Sequence, residues 1–379
     1  MRLSYSFLIF LISLLASAFC FSAEVAPPPS LAVKAYLLRD FNSGTIIASY
    51  KKDERVEPAS LTKIMTAYVT FDAIQHGHLK LDQTLPVGER AWKAEGSKMF
   101  IDPKTPVTVD ELLHGMIIQS GNDAAVTLAI GVAGSEEQFA DMMNKQATKL
   151  GLSSTHFMNA TGLPDKNHYS TASDLSLLAS ALIRDFPLEY RRLYSVKEYT
   201  YNKITQPNRN RLLWLDANVD GMKTGHTDTA GYCLIASSLH GNSRLVSVVL
   251  GAATEIMRAT ESQRLLNYGF QFYESTLVYK QSQTINTLRV YKGQNETVPA
   301  TLSKDFYLAL PKGDYSRVKA SMTSQQPLIA PIKEGQEVGI ITFSLDGKTI
   351  NEQKLVAGAA VNEAGFFGRM VDSIKLLTQ

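Results

Sequence analysis

Two side chains near the N-terminal third of the chain have the types and the spacing needed for nucleophilic catalysis. Ser60 and Lys63 lie three residues apart at the start of a predicted helix, where residues with that spacing are neighbours. The helix N-terminus contributes a positive field. This field and partial burial both favour a neutral lysine that accepts the serine proton. A serine at this position is by default only a helix N-cap, so the pair needs support from elsewhere in the chain.

Two further motifs lie downstream of this pair. Ser120–Asn122 lies between two predicted helices, and Lys223–Gly225 lies on a predicted strand with His226 next. Taken singly, the first is a loop that caps a helix and the second is a strand that ends in a turn. Ser-x-x-Lys alone is equally weak evidence for a catalytic site, because the same spacing recurs at Ser49 and Ser316. Together, in this order and in these contexts, the three motifs are typical of class A β-lactamases and penicillin-binding proteins.

Hydrophobic periodicity and turn residues predict the elements that position these motifs. From about Val109 to Ile183 apolar residues recur at three- and four-residue spacing, which indicates several helices. Strands on both sides of this region, with a helix after the later strands, favour an α+β fold in which helices cover an antiparallel sheet. The other predicted elements are a β-hairpin around Asn42–Gly44, a helix from about Leu61 to Gln75, strands between Val219 and Ala253 with turns at Gly225–Gly231 and His240–Asn242, and a closing helix over Glu261–Ser275.

The C-terminal part has a different character. The chain has 379 residues, which suggests two domains. From Ser275 to about Val361, short β-type runs alternate with Gly, Asp and Asn turns, as in an all-β module. Phe366–Gln379 places its apolar residues on one side of a helical wheel. Such a terminal helix either docks on its own protein or lies in a membrane interface.

The N-terminus has the pattern of a secretory signal peptide. Arg2 precedes an apolar run over Phe7–Phe21, and small residues follow it. We expect cleavage after Ala18 or Ala23, with an uncleaved anchor as the alternative. Cleavage at Ala23 leaves one cysteine, Cys233, whose apolar strand-like context predicts a buried structural thiol. The net charge of +2 gives no sign of a nucleic-acid-binding protein.

The motifs lie inside longer segments that are similar to one family of enzymes. The chain resembles low-molecular-mass penicillin-binding proteins, the D-alanyl-D-alanine carboxypeptidases of the DacA type, over nearly all of the mature chain. The segments that carry the resemblance are PASLTKIMTAYV, LLHGMIIQSGNDAAVTLA, GLSSTHFMNATGLPD, NRNRLLW and VDGMKTGHTDTAGYCLIAS. The N-terminal pattern predicts a signal peptide over residues 1–23. The resemblance implies a transpeptidase-like catalytic domain over 24–274, an all-β domain over 275–363 and an amphipathic membrane-association helix over 364–379.

The resemblance also implies a reaction. Ser60 attacks the carbonyl between the two terminal D-alanines of a peptidoglycan stem peptide, Lys63 is the acylation base, and water hydrolyses the acyl-enzyme. Ser120 and Lys223 relay a proton to the departing D-alanine, and Asn122 contacts Lys63 and a substrate amide. The backbone N–H groups of Ser60 and His226 form an oxyanion hole. Thr224, Gly225 and Arg209 bind the substrate and its terminal carboxylate. Arg209 is equally compatible with an ordinary surface position.

Partners and location follow from the same resemblance. β-Lactams present a strained carbonyl and a carboxylate in a similar arrangement, so we expect them to acylate Ser60 and leave slowly. We expect no cofactor, no metal and no nucleic acid; the seven histidines are scattered, and His76–His78 lacks a third ligand. We expect an exported protein on the periplasmic face of the inner membrane, attached peripherally through its C-terminal helix.

Two other functions stay open at this point. A class A serine β-lactamase carries an additional glutamate that activates the deacylating water. No Glu-x-x-Leu-Asn element occurs between Ser120 and Lys223, and the context of Glu189 does not match one. A non-catalytic peptidoglycan-binding scaffold is disfavoured by the intact Ser-x-x-Lys pair. The segment Ala91–Phe100 is compact where some relatives carry a longer loop, which leaves the rate and the stem-peptide preference open.

Overall fold

The computed structural model of the protein describes residues 26–377. The predicted signal segment, residues 1–23, and Cys20 lie outside the described residues. Short 3₁₀ turns occupy Ala59–Thr62 and Asp314–Arg317. The α-helices are α1 (Lys63–Gln75), α2 (Glu89–Trp92), α3 (Val109–Ile118), α4 (Asn122–Ala133), α5 (Glu136–Lys149), α6 (Ala172–Asp185), α7 (Pro187–Leu193), α8 (Leu212–Leu215), α9 (Glu255–Phe272) and α10 (Phe366–Leu377).

The strands belong to a larger sheet in each half of the chain and to three short two-stranded pairs. The N-terminal half contains β1 (Ala35–Asp40), β2 (Ile46–Tyr50), β3 (Thr84–Leu85), β4 (Val107–Thr108), β5 (Glu198–Tyr201), β6 (Ile204–Pro207), β7 (Val219–Thr227), β8 (Gly231–His240) and β9 (Ser243–Ala252). The C-terminal half contains β10 (Tyr273–Tyr279), β11 (Asn286–Tyr291), β12 (Thr297–Thr301), β13 (Phe306–Pro311), β14 (Val318–Ser324), β15 (Leu328–Ile329), β16 (Glu337–Leu345) and β17 (Lys348–Ala357).

An antiparallel sheet with the strand order β2-β1-β9-β8-β7 forms the centre of the N-terminal half. Successive side chains of a strand point to opposite faces. Leu37 therefore packs in the core shared with α1 and α3–α6, while Leu38 packs in the core beneath α9. Helices cover both faces of the sheet, and the predicted α+β fold is confirmed.

Helix α1 passes through the middle of the helical layer. Its residues from Lys63 to Phe71 are all buried, as expected of a helix that is enclosed rather than laid on a surface. This burial fixes the turn that contains Ser60, which precedes α1 and packs against β7. Because β7 is the outermost strand of the sheet, no strand of the described residues pairs with its outer edge.

Two predicted boundaries are wrong. Strand β7 does not end at Gly225 but continues to Thr227, because its pairing with β8 extends to the Thr227–Gly231 pair. The closing helix is not Glu261–Ser275 but α9, which ends at Phe272 because the next residues enter β10 and pair with β13. At β7 the local hairpin with β8 extends the strand, whereas at β10 a strand partner distant in sequence, β13, overrides the helical pattern.

The C-terminal half has its own core, which includes Leu288, Val298, Ile341 and Phe343. It is built on a sheet with the order β14-β16-β17-β12-β11-β15 and on the β10–β13 pair, so the all-β prediction is confirmed. The terminal helix α10 follows it as predicted. The exposed apolar side chains of α10 are Phe366, Phe367, Met370, Val371, Ile374 and Leu377. Among residues 26–377, no helix is both long and apolar enough to cross a membrane.

Candidate active site

Ser60 lies in a tight 3₁₀ turn rather than at a helix N-cap. The turn spans Ala59–Thr62, its cap residue is Pro58, and no side chain caps it, so the N-cap interpretation of Ser60 is wrong. Ala59 adopts a left-handed φ of +47°, which is uncommon for a residue with a Cβ. Gly162 permits this conformation, since a Cβ there would lie 1.8 Å from the Ala59 carbonyl oxygen. The turn leaves the Ser60 hydroxyl free to interact with Lys63.

Lys63 is buried, and each of its hydrogen bonds goes to an oxygen. Its Nζ lies 3.1 Å from Ser60 Oγ, 2.6 Å from Asn122 Oδ1 and 2.7 Å from the Thr161 carbonyl oxygen. The amide of Asn122 is oriented by its Nδ2, which donates to the Glu95 carbonyl at 2.6 Å. Asn122 Oδ1 and the Thr161 carbonyl can therefore only accept.

The protonation state of Lys63 follows from its surroundings. Burial, reinforced by the positive charge of Arg209, lowers the pKa of Lys63 to about 7, and the carboxylate of Asp123 opposes this shift. A neutral amine has two N–H bonds and one lone pair. When Asn122 Oδ1 and the Thr161 carbonyl oxygen accept hydrogen bonds from the two N–H groups of neutral Lys63, its lone pair points at the hydroxyl of Ser60. This arrangement can remove the serine proton and so activate a nucleophile.

The second and third motifs form a separate pair. Lys223 Nζ donates to Ser120 Oγ at 2.9 Å and to the Thr224 carbonyl at 2.9 Å. Burial, and then the positive charge of Lys63, hold the pKa of Lys223 well below its ordinary value. Ser120 lies between α3 and α4, as predicted, with a left-handed φ of +67°. Among residues 26–377, Ser60–Lys63 and Ser120–Lys223 thus form two neighbouring serine–lysine pairs, and both serines line one cavity.

A cavity of about 400 Å³, here called the catalytic cavity, brings the predicted site residues together. Lys63 and Lys223 contact it through their bonds to Ser60 and Ser120. Its predicted lining residues are Ser60, Ser120, Asn122, Arg209, Thr224, Gly225 and His226. None of the described residues that line it is an aspartate or glutamate. Arg209 is exposed, but its Nε donates to the Gln119 carbonyl at 3.1 Å, so it lies at the cavity and not on an unrelated surface.

Sequence reasoning missed several parts of this site. The Thr161 and Glu95 carbonyls act through the backbone, and a side-chain motif gives no signal for them. Asp123 is buried and accepts from the backbone N–H groups of Met99, Phe100 and Ile101. It thereby holds the end of the segment Ala91–Phe100 against α4. The other lining residues that were missed are Gly96, Ser97, Gly162, Leu163, Thr227 and Arg258.

The fold and the site together are those of a serine hydrolase in which lysines lie beside the serines, where other serine enzymes place a histidine. A family model described as D-alanyl-D-alanine carboxypeptidase matches residues 22–254. A second, described as Penicillin-binding protein 5, C-terminal domain, matches residues 273–363.

Individual relatives agree with the family models. The chain is 45% identical to D-alanyl-D-alanine carboxypeptidase DacC of Escherichia coli (strain K12), with 94% of this chain and 91% of the relative covered. It is 42% identical to DacA of the same organism, with 92% and 88% covered. The crystal structure of penicillin-binding protein 5 from Haemophilus influenzae matches with a TM-score of 0.86 and 42% identity, over 89% of this chain and 100% of that one.

The chain belongs to the D-alanyl-D-alanine carboxypeptidase family. The predicted resemblance, the enzyme class and the predicted carboxypeptidase function are confirmed at this level.

Proposed function

We propose that Ser60 is the nucleophile with which this chain removes the terminal D-alanine from peptidoglycan stem pentapeptides, and that penicillin acylates the same serine. The observation that carries the proposal is the environment of Lys63, whose Nζ lies within hydrogen-bond distance of Ser60 Oγ and of two obligate acceptors. When Lys63 is neutral, the two acceptors take hydrogen bonds from its N–H groups, and its lone pair then faces Ser60. No other Ser-x-x-Lys sequence in the described residues has a buried lysine, since Lys52 is only partly buried and Lys319 is exposed.

In the proposed acylation, Ser60 Oγ bonds to the carbonyl carbon between the two D-alanines while its proton moves to Lys63 Nζ. The backbone N–H groups of Ser60 and His226 stabilise the resulting oxyanion. The position of Ser60 beside the outer edge of β7 supports this assignment, because an extended peptide can join a sheet edge as an additional strand. Gly225 on that strand carries no side chain that would keep the peptide away.

In the proposed departure step, the C–N bond breaks and the D-alanine amine takes up a proton relayed by Ser120 and Lys223. Thr224 and Arg209 bind the terminal carboxylate of the substrate, a role suited to a hydroxyl and a guanidinium fork. Water then attacks the ester, its proton returns to Ser60 through Lys63, and the shortened peptide leaves. The catalytic cavity contains no lining glutamate among the described residues, which favours a carboxypeptidase over a class A β-lactamase.

Labelling by a fluorescent penicillin tests the nucleophile. Ser60→Ala should abolish covalent labelling, whereas Ser49→Ala should leave it intact. Ser49 is a matched control because it has the same spacing to a lysine but lies exposed on β2. Persistent labelling of Ser60→Ala would contradict the assignment.

Release of D-alanine tests the reaction. Purified protein should liberate D-alanine from a diacetyl-Lys-D-Ala-D-Ala peptide. Rapid turnover of nitrocefin without D-alanine release would indicate a β-lactamase instead. Penicillin labelling without turnover of either substrate would indicate a binding scaffold.

We also propose the domain organisation and the location. The proposed parts are a signal peptide (1–23), a catalytic domain (24–274), an all-β domain (275–363) and a membrane-association helix (364–379) on the periplasmic face of the inner membrane. Support comes from α10, whose apolar side chains are exposed while Asp372 on another side of the helix accepts from the Lys292 backbone N–H at 2.7 Å. An amphipathic helix held in this way presents its apolar side to a lipid surface.

Fractionation tests the membrane assignment. Deleting Phe366–Gln379, or replacing Phe367 by Glu, should move the protein from the membrane to the soluble fraction. Ser373→Ala, outside the exposed apolar residues, is the matched control and should not. An unchanged distribution for the first two variants would rule out α10 as the anchor.

A further inference from the structure

A carboxylate connects the end of β7 to the segment that precedes the Ser60 turn. Glu57 Oε2 accepts from Thr229 Oγ1 at 2.5 Å and from Thr227 Oγ1 at 3.3 Å. Thr227 Oγ1 in turn accepts from the Ala230 backbone N–H at 3.0 Å. One carboxylate oxygen therefore joins the tip of the β7–β8 hairpin to a residue that lies only three positions before Ser60 in the sequence.

The backbone that carries Glu57 is itself held in place. Immediately before it, Val56 exchanges two backbone hydrogen bonds of 2.9 Å with Ser170. Immediately after it, Pro58 restricts the backbone of the preceding residue to extended conformations. A carboxylate on a mobile loop would move with the groups that it binds. Because the backbone on both sides of Glu57 is restricted, its carboxylate can instead fix the position of the hairpin tip.

A second contact between these two segments lies one residue before His226. A Cβ at Gly225 would lie 3.1 Å from the Pro58 carbonyl oxygen, so the two backbones pack directly on each other there. One residue after His226, the hydrogen bond to Glu57 holds Thr227. His226 is thus held from both sides by the segment that leads into the 3₁₀ turn.

The proposed function, on which this inference rests, assigns the oxyanion hole to the backbone N–H groups of Ser60 and His226. These groups lie on different elements, the 3₁₀ turn and β7, so local backbone geometry does not fix their separation. Oxyanion donors act because they are aimed in advance at the developing charge, which requires one fixed position of the turn relative to the strand. The negative charge of Glu57 does not favour an oxyanion, since like charges repel. Its benefit to catalysis must come through its hydrogen bonds.

We propose that Glu57 is a positioning residue for the oxyanion hole. By binding Thr227 and Thr229, it holds β7 against the 3₁₀ turn and sets the distance between the two N–H donors. Without the carboxylate, the hairpin tip is free to move away from the turn. A misplacement of about 1 Å lowers the rate of an oriented reaction by about 10²-fold. Because the contact at Gly225 persists, we expect kcat/KM to fall by about tenfold to hundredfold in Glu57→Ala.

The test compares catalysis with the binding of a transition-state analogue. The probe is an acylated aminoethyl boronic acid, in which boron replaces the reacting carbonyl carbon. Ser60 Oγ bonds to the boron, and the tetrahedral adduct places an oxygen in the oxyanion hole. In Glu57→Ala, kcat/KM for diacetyl-Lys-D-Ala-D-Ala should fall and the Ki of the boronic acid should rise by the same factor, while KM changes little. Glu57→Gln keeps an acceptor oxygen for the two threonines and should retain most of the activity.

Two further variants serve as controls. Glu54→Ala removes the same charge from the same segment, but Glu54 is exposed and pairs with Lys51 at 3.0 Å, so kcat/KM and Ki should not change. Thr229→Val removes one hydroxyl that donates to Glu57. Combined with Glu57→Ala, it should cause no further loss of kcat/KM, because both changes remove the same hydrogen bond.

The outcomes separate this inference from the proposed function. An unchanged kcat/KM in Glu57→Ala, or a loss that Glu54→Ala shares, would overturn the inference while the carboxypeptidase assignment stands. So would a lower kcat/KM at an unchanged Ki, which is the result expected if the substitution only lowers the amount of folded protein. Faster catalysis in both Glu57→Ala and Glu57→Gln would show that only the charge matters, and would overturn it too. Failure of the unaltered protein to release D-alanine would overturn both. Equal factors in kcat/KM and Ki, with activity retained in Glu57→Gln, would support the positioning role.

Discussion

Gly162→Ala should damage catalysis although Gly162 makes no bond to substrate in the proposed reaction. The residue has a left-handed φ of +84° and is buried against the turn that contains Ser60. A Cβ at this position would lie 1.8 Å from the Ala59 carbonyl oxygen, 2.3 Å from its carbon and 2.9 Å from Thr62 Oγ1. The two closest atoms belong to the backbone, so no side-chain rotation can relieve the clash.

The expected magnitude has two parts. A left-handed alanine costs about 1–2 kcal/mol relative to glycine, and forcing a methyl group into a filled space costs about 1–3 kcal/mol. The free energy of unfolding should therefore fall by roughly 2–5 kcal/mol. The clash would push the Ala59 carbonyl and with it Ser60. A displacement of about 1 Å lowers the rate of an oriented reaction by about 10²-fold.

Gly151→Ala is the matched control. Gly151 also has a left-handed φ, +74°, but no atom lies within 4 Å of a Cβ built there. In this variant the free energy of unfolding should fall only by the cost of an alanine at a left-handed φ, about 1–2 kcal/mol. Urea unfolding gives the stability of both variants, and the rate of acylation by a fluorescent penicillin reports the Ser60 geometry. Acylation of Gly162→Ala at the rate of Gly151→Ala would refute the claim that Gly162 positions the nucleophile.

The remaining predictions concern Lys63, Asp123 and Cys233. Only neutral Lys63 accepts a proton, so with a pKa of about 7 the acylation rate should rise about tenfold from pH 6 to pH 8, and a flat pH profile would contradict its role as base. Asp123→Ala leaves the N–H groups that Asp123 binds without acceptors. The free energy of unfolding, measured in urea, should therefore fall by about 2–5 kcal/mol, whereas Asp228→Ala at an exposed position should change it little. Burial raises the pKa of Cys233 to about 11, so this thiol should react slowly with iodoacetamide at pH 8. Peptide mapping should find Cys233 unmodified in the folded protein and modified in urea. Equal modification in both conditions would contradict its burial.

The sequence predicted which motif side chains lie together but not the backbone groups that hold them. Three motifs in order predicted the serines, the lysines and Asn122, because each motif carries side chains whose chemistry is distinctive. The structure brings Ser60 next to Lys63 and Ser120 next to Lys223, as the motifs suggest. The backbone carbonyls of Thr161 and Glu95 hold Lys63 and Asn122, and every residue has such a carbonyl, so no pattern distinguishes them.

The local errors have a common physical origin. Ser60 was predicted to be an N-cap because propensity describes isolated helices, whereas Ala59 is held at a left-handed φ by its packing against Gly162. Ser120 adopts a left-handed φ that its residue type does not favour. Such conformations persist only where the surrounding structure imposes them, and they occur preferentially at functional sites. The long periodic elements, by contrast, were predicted well.

The junction between the two halves of the chain affects how far from the membrane Ser60 can act. Helix α9 ends at Phe272 and β10 begins at Tyr273, with no connecting residue. The Lys312 N–H donates to the Phe272 carbonyl at 2.9 Å, and Ser275 Oγ donates to Asp40 Oδ1 at 3.0 Å. A flexible linker would let the catalytic half sample a range of heights, whereas here the two halves follow each other without linker residues and are joined by these two hydrogen bonds. If α10 binds the membrane as proposed, the C-terminal half acts as a spacer, and its length sets the depth of the cell wall at which stem peptides come within range of Ser60.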